Sequence, residues 1–299
     1  MRTLVTLIFA VTCFAATTSA RAASAAPASV PVPATQPGIV VEKCHALAAK
    51  WRARFDAERM TCIVSPPFVV AGDGGRQRLN GYVDHTIRGA DDALRRKFFD
   101  RARPTEPILM LLFESAESYK RLAKKWLDDE PSTPYGYFRR DNIMVMNVGT
   151  GTGTLVHELV HAVIRPDFPG VPDWFNEGLG SLFEQCTLAD GDIRGLENWR
   201  LPALQRAIRA KKLRPLRELI EDPDFYGDKH VGLNYAQARY LLMYLQEQGK
   251  LADFYKKLRA DHDEDKHGLA TLKAIIAPQA LEEFEKEWRA WVLELRFAN

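Results

Sequence analysis

His157-Glu158-Leu159-Val160-His161 has the residue types and the spacing of a metal site. On a helix, positions four apart differ by about 400° of rotation, so the two histidines stand one turn apart on one face and can converge on a single ion. Thr154 to Ile164 has the apolar period of such a helix. A catalytic zinc normally takes three protein ligands and keeps a fourth position open, so a further ligand is expected on a neighbouring element. The stretch Pro172-Asp173-Trp174-Phe175-Asn176-Glu177-Gly178-Leu179-Gly180 supplies Glu177 at the start of a second helix. Gly178 and Gly180 remove side chains where two helices must approach closely. Two imidazoles and one carboxylate around one Zn2+ leave a net positive charge, enough to acidify a bound water. Glu184 shares Glu177's helix face and reads as a partner outside the ligand set or a charge on the helix face, with ligation as the lesser alternative.

At these residues the sequence resembles the gluzincins, zinc metallopeptidases with HExxH and a downstream glutamate ligand. Trp174-Phe175-Asn176-Glu177-Gly178-Leu179-Gly180 is similar to the W-x-x-E-G-x-A stretch of aminopeptidase-N-like enzymes and, more closely, of small bacterial peptidase-MA-like proteins. The likeness runs over about residues 60 to 297, through Pro67-Phe68-Val69-Val70, Gly136-Tyr137, Leu213 to Leu219 and Tyr235-Ala236-Gln237-Ala238, and only the motif pair is highly specific. Gly180 stands where alanine is commoner, a departure that reads as harmless. The spacing from His161 to Glu177 is short for the clan, which demands a tight connecting loop over 165–172. The resemblance implies a zincin-like fold in which His157, His161 and Glu177 bind one zinc ion. It further implies that Glu158 accepts a proton from the attacking water and passes it to the leaving amine. Tyr235 corresponds in position to the downstream tyrosine that stabilises the oxyanion, with Tyr240 and His230 as rivals. The peptide of such enzymes commonly pairs with an edge strand, for which Asn142 to Val148 is the candidate and an interior strand the alternative.

These residues need a scaffold that brings two helices together. Glu42 to Arg59 has helical spacing, Met60 to Ser65 and Phe68 to Ala71 are strand-like, and Leu79 to Arg101 is a helix candidate. Ile108 to Phe113 reads as a buried strand and Glu114 to Leu127 as a helix; Tyr135 to Arg140 with Asn142 to Val148 suggests a hairpin. Gly149 to Gly153 lacks the spacing and lysine of a phosphate loop and reads as a turn bringing backbone close beneath a cleft, with Thr152 or Thr154 capping the next helix. Almost every later segment is helical. Strands early and helices late predict an α+β fold, a small sheet lobe over about 39–153 packed on a helical lobe over about 154–299, with a cleft at their junction.

The composition agrees with a folded domain: 299 residues, 46% hydrophobic, 41 basic against 39 acidic side chains, net charge +2. No bulk positive field points to nucleic acid or a membrane surface. The basic stretch from Arg206 to Arg217 carries no interleaved aromatics and reads as a solvated helix face. Residues 1–22 have the layout of a cleaved secretory signal, an apolar run too short to span a bilayer followed by small residues, and 23–38 form an Ala/Pro-rich linker. The expectation is an exported protein, periplasmic or secreted, with no stable membrane insertion after cleavage. Cys44 and Cys62 could pair in an oxidising compartment, or Cys44, Cys62 and Cys186 could remain buried thiols. The function expected is peptide-bond hydrolysis on a peptide or protein substrate. A non-catalytic envelope or binding protein on the same fold, and a zinc amidase acting on a non-protein amide, are the alternatives.

Overall fold

The structure is a computed structural model and describes residues 37–227 and 230–297; the expected signal and most of the expected linker fall outside the described residues. The chain forms an α+β fold. α1 (Pro37–Ala57) leads into the antiparallel pair β1 (Thr61–Ser65) and β2 (Phe68–Gly72). A helical stretch then runs through α2 (Arg76–Gly81), a π-helical turn over Tyr82–Ile87, and α3 (Arg88–Lys97). β3 (Ile108–Phe113) follows, then α4 (Ala116–Leu127), and then β4 (Gly136–Phe138) and β5 (Ile143–Asn147). The five strands lie in the order β1-β2-β3-β5-β4, with β2, β3 and β5 parallel and β4 antiparallel at one edge.

The sheet explains the unbroken apolar run of β3. Successive side chains of a strand point to opposite faces, and here both faces are covered. Leu109, Leu111, Phe113, Val69, Ala71 and Val145 pack with Trp51, Phe55 and Tyr119 of α1 and α4. Ile108, Met110, Leu112, Phe68, Val70, Met144 and Met146 join the larger core of α3 and the later helices.

Past a 3-10 turn at Val148–Thr150 comes α5 (Gly153–Asp167), then α6 (Asp173–Phe183) and a hairpin of β6 (Cys186–Ala189) and β7 (Asp192–Gly195). The helical lobe continues with α7 (Leu201–Arg209), α8 (Leu216–Ile220), α9 (Val231–Glu247), α10 (Leu251–Ala260), α11 (Leu269–Ile276) and α12 (Leu281–Glu294). The β6–β7 hairpin is missing from the sequence reading, although Asp190-Gly191 marks it: both have positive φ, 51° and 75°, as a type I′ turn requires.

A second difference concerns the strand before the site helix. β5 lies between β3 and β4, so the candidate over 142–148 is interior and the edge beside it is β4. The paired ladder is anchored by Arg139 N donating to Ile143 O (2.8 Å) and Asn147 N to Tyr135 O (2.7 Å). In this antiparallel register the main-chain groups of Tyr137 also point at β5, while those of Gly136 and Phe138 face outwards. Cys44, Cys62 and Cys186 are free thiols, with no Cys44–Cys62 bridge. No helix among the described residues is long and apolar enough to cross a membrane.

Candidate metal centre

α5 carries the HExxH residues because its remaining positions are committed to packing. Leu155, Val156, Leu159, Val160, Val163 and Ile164 are buried, leaving His157, Glu158 and His161 on the side that meets α6 and a cavity. The turn before α5 depends on glycine. Gly151 has φ +108°, and a Cβ on Gly149 or Gly153 would stand 2.4 Å from the carbonyl oxygens of Glu114 and Glu184 respectively. Thr152 occupies the N-cap position but its hydroxyl makes no capping bond, so the expected side-chain cap is absent at Thr152. The α5 amide that follows the first turn, Val156 N, bonds to the Thr152 carbonyl.

α6 meets α5 at Gly180 and α9 at Gly178. A Cβ on Gly180 would lie 3.1 Å from three atoms of the His157 ring, and one on Gly178 would lie 3.1 Å from Ala238 Cβ and Leu242 Cδ1. The missing side chain at Gly180 thus leaves room for the His157 ring.

His157, His161 and Glu177 come together as a group that could hold a metal ion, their donor atoms all within 4.8 Å of one another. Glu177 Oε2 lies 3.2 Å from His157 Nε2 and 3.5 Å from His161 Nε2. Donors bound at about 2.0–2.1 Å to a tetrahedral ion are about 3.3 Å apart, so these separations match two edges of such a tetrahedron. The outer nitrogens are held as well. His161 Nδ1 donates to Asn176 Oδ1 (2.9 Å), fixing the tautomer that leaves Nε2 free for a metal. His157 Nδ1 lies 3.1 Å from Glu184 Oε1, an ion-pair contact rather than an aligned hydrogen bond. Both Glu184 oxygens also meet the Arg200 guanidinium. Glu184 therefore supports a candidate ligand and stands outside the triad.

The electrostatics favour a cation at this point. Burial opposes ionisation of Glu177, but the two imidazoles hold its carboxyl far below the usual range. Burial likewise opposes a charge on His157, yet Glu177 and Glu184, with Glu158 nearby, push its pKa upwards. The surroundings that keep a proton on His157 would equally favour a metal ion in its place.

A cavity of about 740 Å³ opens beside the group, lined by His157, Glu158, Glu184, Trp199, Arg200 and Tyr235 among others. Glu158 is half-buried on its wall. Tyr235 packs on Phe225, and burial together with the adjacent Glu177 carboxylate keeps its hydroxyl protonated far above the ordinary tyrosine range. The two rivals lie elsewhere. Tyr240 is fully buried and its hydroxyl is used on the main chain of Asn198, while His230 is exposed at the start of α9 beside a neighbouring groove.

Three contributors escaped the sequence reading. Tyr226 donates its hydroxyl to Glu177 Oε1 (2.8 Å), Asn176 orients His161, and Arg200 holds Glu184. Only Asn176 carried a local signal, being adjacent to a ligand; Tyr226 and Arg200 are delivered by loops with no motif. No family model matches this chain, and no curated protein is similar to it in sequence.

Proposed function

We propose that this chain is an exported zinc-dependent peptidase of the gluzincin type, with a zincin-like fold. The observation that carries the reading is the convergence of His157, His161 and Glu177, with Glu177 Oε2 3.2 and 3.5 Å from the two Nε2 atoms and all donors within 4.8 Å, beside a cavity whose wall bears Glu158. The donor set, two imidazoles and a carboxylate with an open side, fits catalytic zinc better than a closed structural site. Bound there, zinc would act as a Lewis acid and lower the pKa of a water in the open position.

The chain's own residues account for the remaining steps. Glu158 takes the proton of the attacking water and returns it to the leaving amine, a role available to a half-buried carboxylate one residue from a ligand. Tyr235, held neutral, is a donor for the developing oxyanion from the same cavity. Asn176 and Glu184 keep the imidazoles in one orientation. An extended substrate would add to the edge of β4, bonding the outward main-chain groups of Phe138 and displacing the Thr133 hydroxyl, which holds the N–H and C=O of Gly136 at 3.4 Å. Gly136 itself lines that cavity.

The decisive experiment is Glu158→Gln in zinc-loaded protein. Zinc should remain stoichiometric while cleavage of a mixed peptide library, read by mass spectrometry, falls by at least about 10²-fold. Full activity in Glu158→Gln would end the reading.

A further inference from the structure

Single exposed apolar side chains are ordinary, but exposed aromatics gathered around one site mark a contact surface. Tyr135, Trp199 and Tyr226 are exposed by 51%, 65% and 47%, and they are the exposed large aromatics among the described residues. All three surround the metal centre. Tyr135 and Trp199 line the cavity, and Tyr226 bonds to Glu177.

Trp199 is the most exposed of them and sits on a fixed support. The Arg200 guanidinium stacks on its ring at 4.2 Å, and the same guanidinium is locked on both oxygens of Glu184. On the other side Asn198 is pinned by the Tyr240 hydroxyl (3.0 Å) and accepts from Arg200 N (3.0 Å) through Oδ1. An indole held in this way can receive a ligand with little loss of its own freedom. It is also three side-chain contacts from His157, through Arg200 and Glu184, a span that a few extended residues cover at about 3.3 Å each.

Trp199 and Arg200 form the wall between the catalytic cavity and a second groove of about 350 Å³. That groove is lined by Ala203, Val231, Leu233 and Ala236, and its size is at the small end for a ligand pocket. We propose that Trp199 is a specificity-determining residue, the wall of a subsite that takes an apolar side chain of the bound peptide. The inference rests on the peptidase reading and names its substrate class: peptides with a bulky aliphatic or aromatic residue at one fixed position from the cut. Adjacency to the catalytic cavity selects this occupant, because the two share Trp199 and Arg200 and a side chain of a peptide lying in the cleft reaches the groove past that wall.

Two measurements test it. In the first, a mixed peptide library is cut by zinc-loaded wild type, Trp199→Ala and Trp199→Phe. Wild type should show enrichment of Leu, Ile, Phe or Met at one position. Trp199→Ala should lose about 10- to 100-fold in kcat/KM on those peptides with zinc content unchanged, and Trp199→Phe should recover part of it. In the second, inactive zinc-loaded Glu158→Gln is titrated with a preferred peptide while acrylamide quenching of tryptophan is followed. The bound peptide should shield a fluorescence component that is missing from the Glu158→Gln/Trp199→Phe protein. An unchanged cut profile in Trp199→Ala, or equal quenching with and without peptide, would overturn the inference and leave the peptidase reading standing. Wild-type protein that binds zinc and cuts no peptide would end both.

Discussion

Glu177 divides its two oxygens: Oε2 faces the imidazoles, and Oε1 accepts the Tyr226 hydroxyl. In the proposed zinc site the division would make Glu177 a one-oxygen ligand and leave the open side to water and substrate. Partners of this kind typically contribute 10- to 100-fold in metal affinity. Tyr226→Phe and Asn176→Ala should each weaken zinc binding by about that factor in competition with a chromophoric chelator. Tyr226→Phe should also let Glu177 bind through both oxygens, which the visible spectrum of the cobalt-substituted protein would register as a higher coordination number. Wild-type affinity in both variants would show that the ligands need no such support. At this scale the sequence was most legible where chemistry obeys a helix period. His157, Glu158 and His161 follow from spacing, and Glu177 from a second helix with glycines beside it. Tyr226 and Arg200 follow from nothing local, because only the folding of the helical lobe carries them to Glu177 and Glu184.

The site helix is fixed at its far end by a buried carboxylate. Asp167, the last residue of α5, accepts from Arg101 N (2.6 Å), Ala102 N (3.1 Å) and the Tyr255 hydroxyl (2.6 Å), and pairs with Arg259 of α10. One side chain thereby ties α5 to the segment before β3 and to the helical lobe. Arg259 is itself almost wholly buried, so removing its partner strands a charge, a change that costs about 3–5 kcal/mol. Asp167→Ala should lower stability by that amount in urea unfolding while leaving His157, His161 and Glu177 in place; a loss under 1 kcal/mol would mean the second carboxylate, Asp100, suffices for Arg259. Elements were less legible than residues. Ile143 to Met146 is apolar without alternation, a pattern that identifies a buried strand but not its place in the sheet, and β4 proves to be the edge. The π-helical turn at Tyr82–Ile87 interrupts what periodicity reads as one helix over 79–101, and the short β6–β7 hairpin has too few residues to outweigh the helices around it.

At the scale of the whole molecule the α+β layout was legible, since two sheet faces that alternate along every strand require helices on both sides. The state of the cysteines was not, because pairing depends on distances that sequence does not contain. Free and enclosed, the thiols make stability depend on alkaline pH. Cys44 is fully buried, and burial pushes its pKa up to about 11; Cys186, on the cavity wall, is pushed by the same cause to about 11 despite the opposing charge of Arg239. An unfolded thiol ionises near 8.5. Below that value both states hold the proton and these thiols contribute no pH dependence. Above it the unfolded chain releases protons that the folded chain keeps, so the folded state becomes progressively less favourable up to about pH 11. The Tm should therefore fall as pH rises from about 8.5 to 10, and Cys44→Ala should flatten the slope while lowering Tm at neutral pH only slightly. Tyr119, pushed up to about 12 mainly by burial, acts in the same sense at higher pH. A slope identical in Cys44→Ala and wild type would show that the Cys44 thiol reaches solvent, and with it that α1 does not seal its side of the sheet.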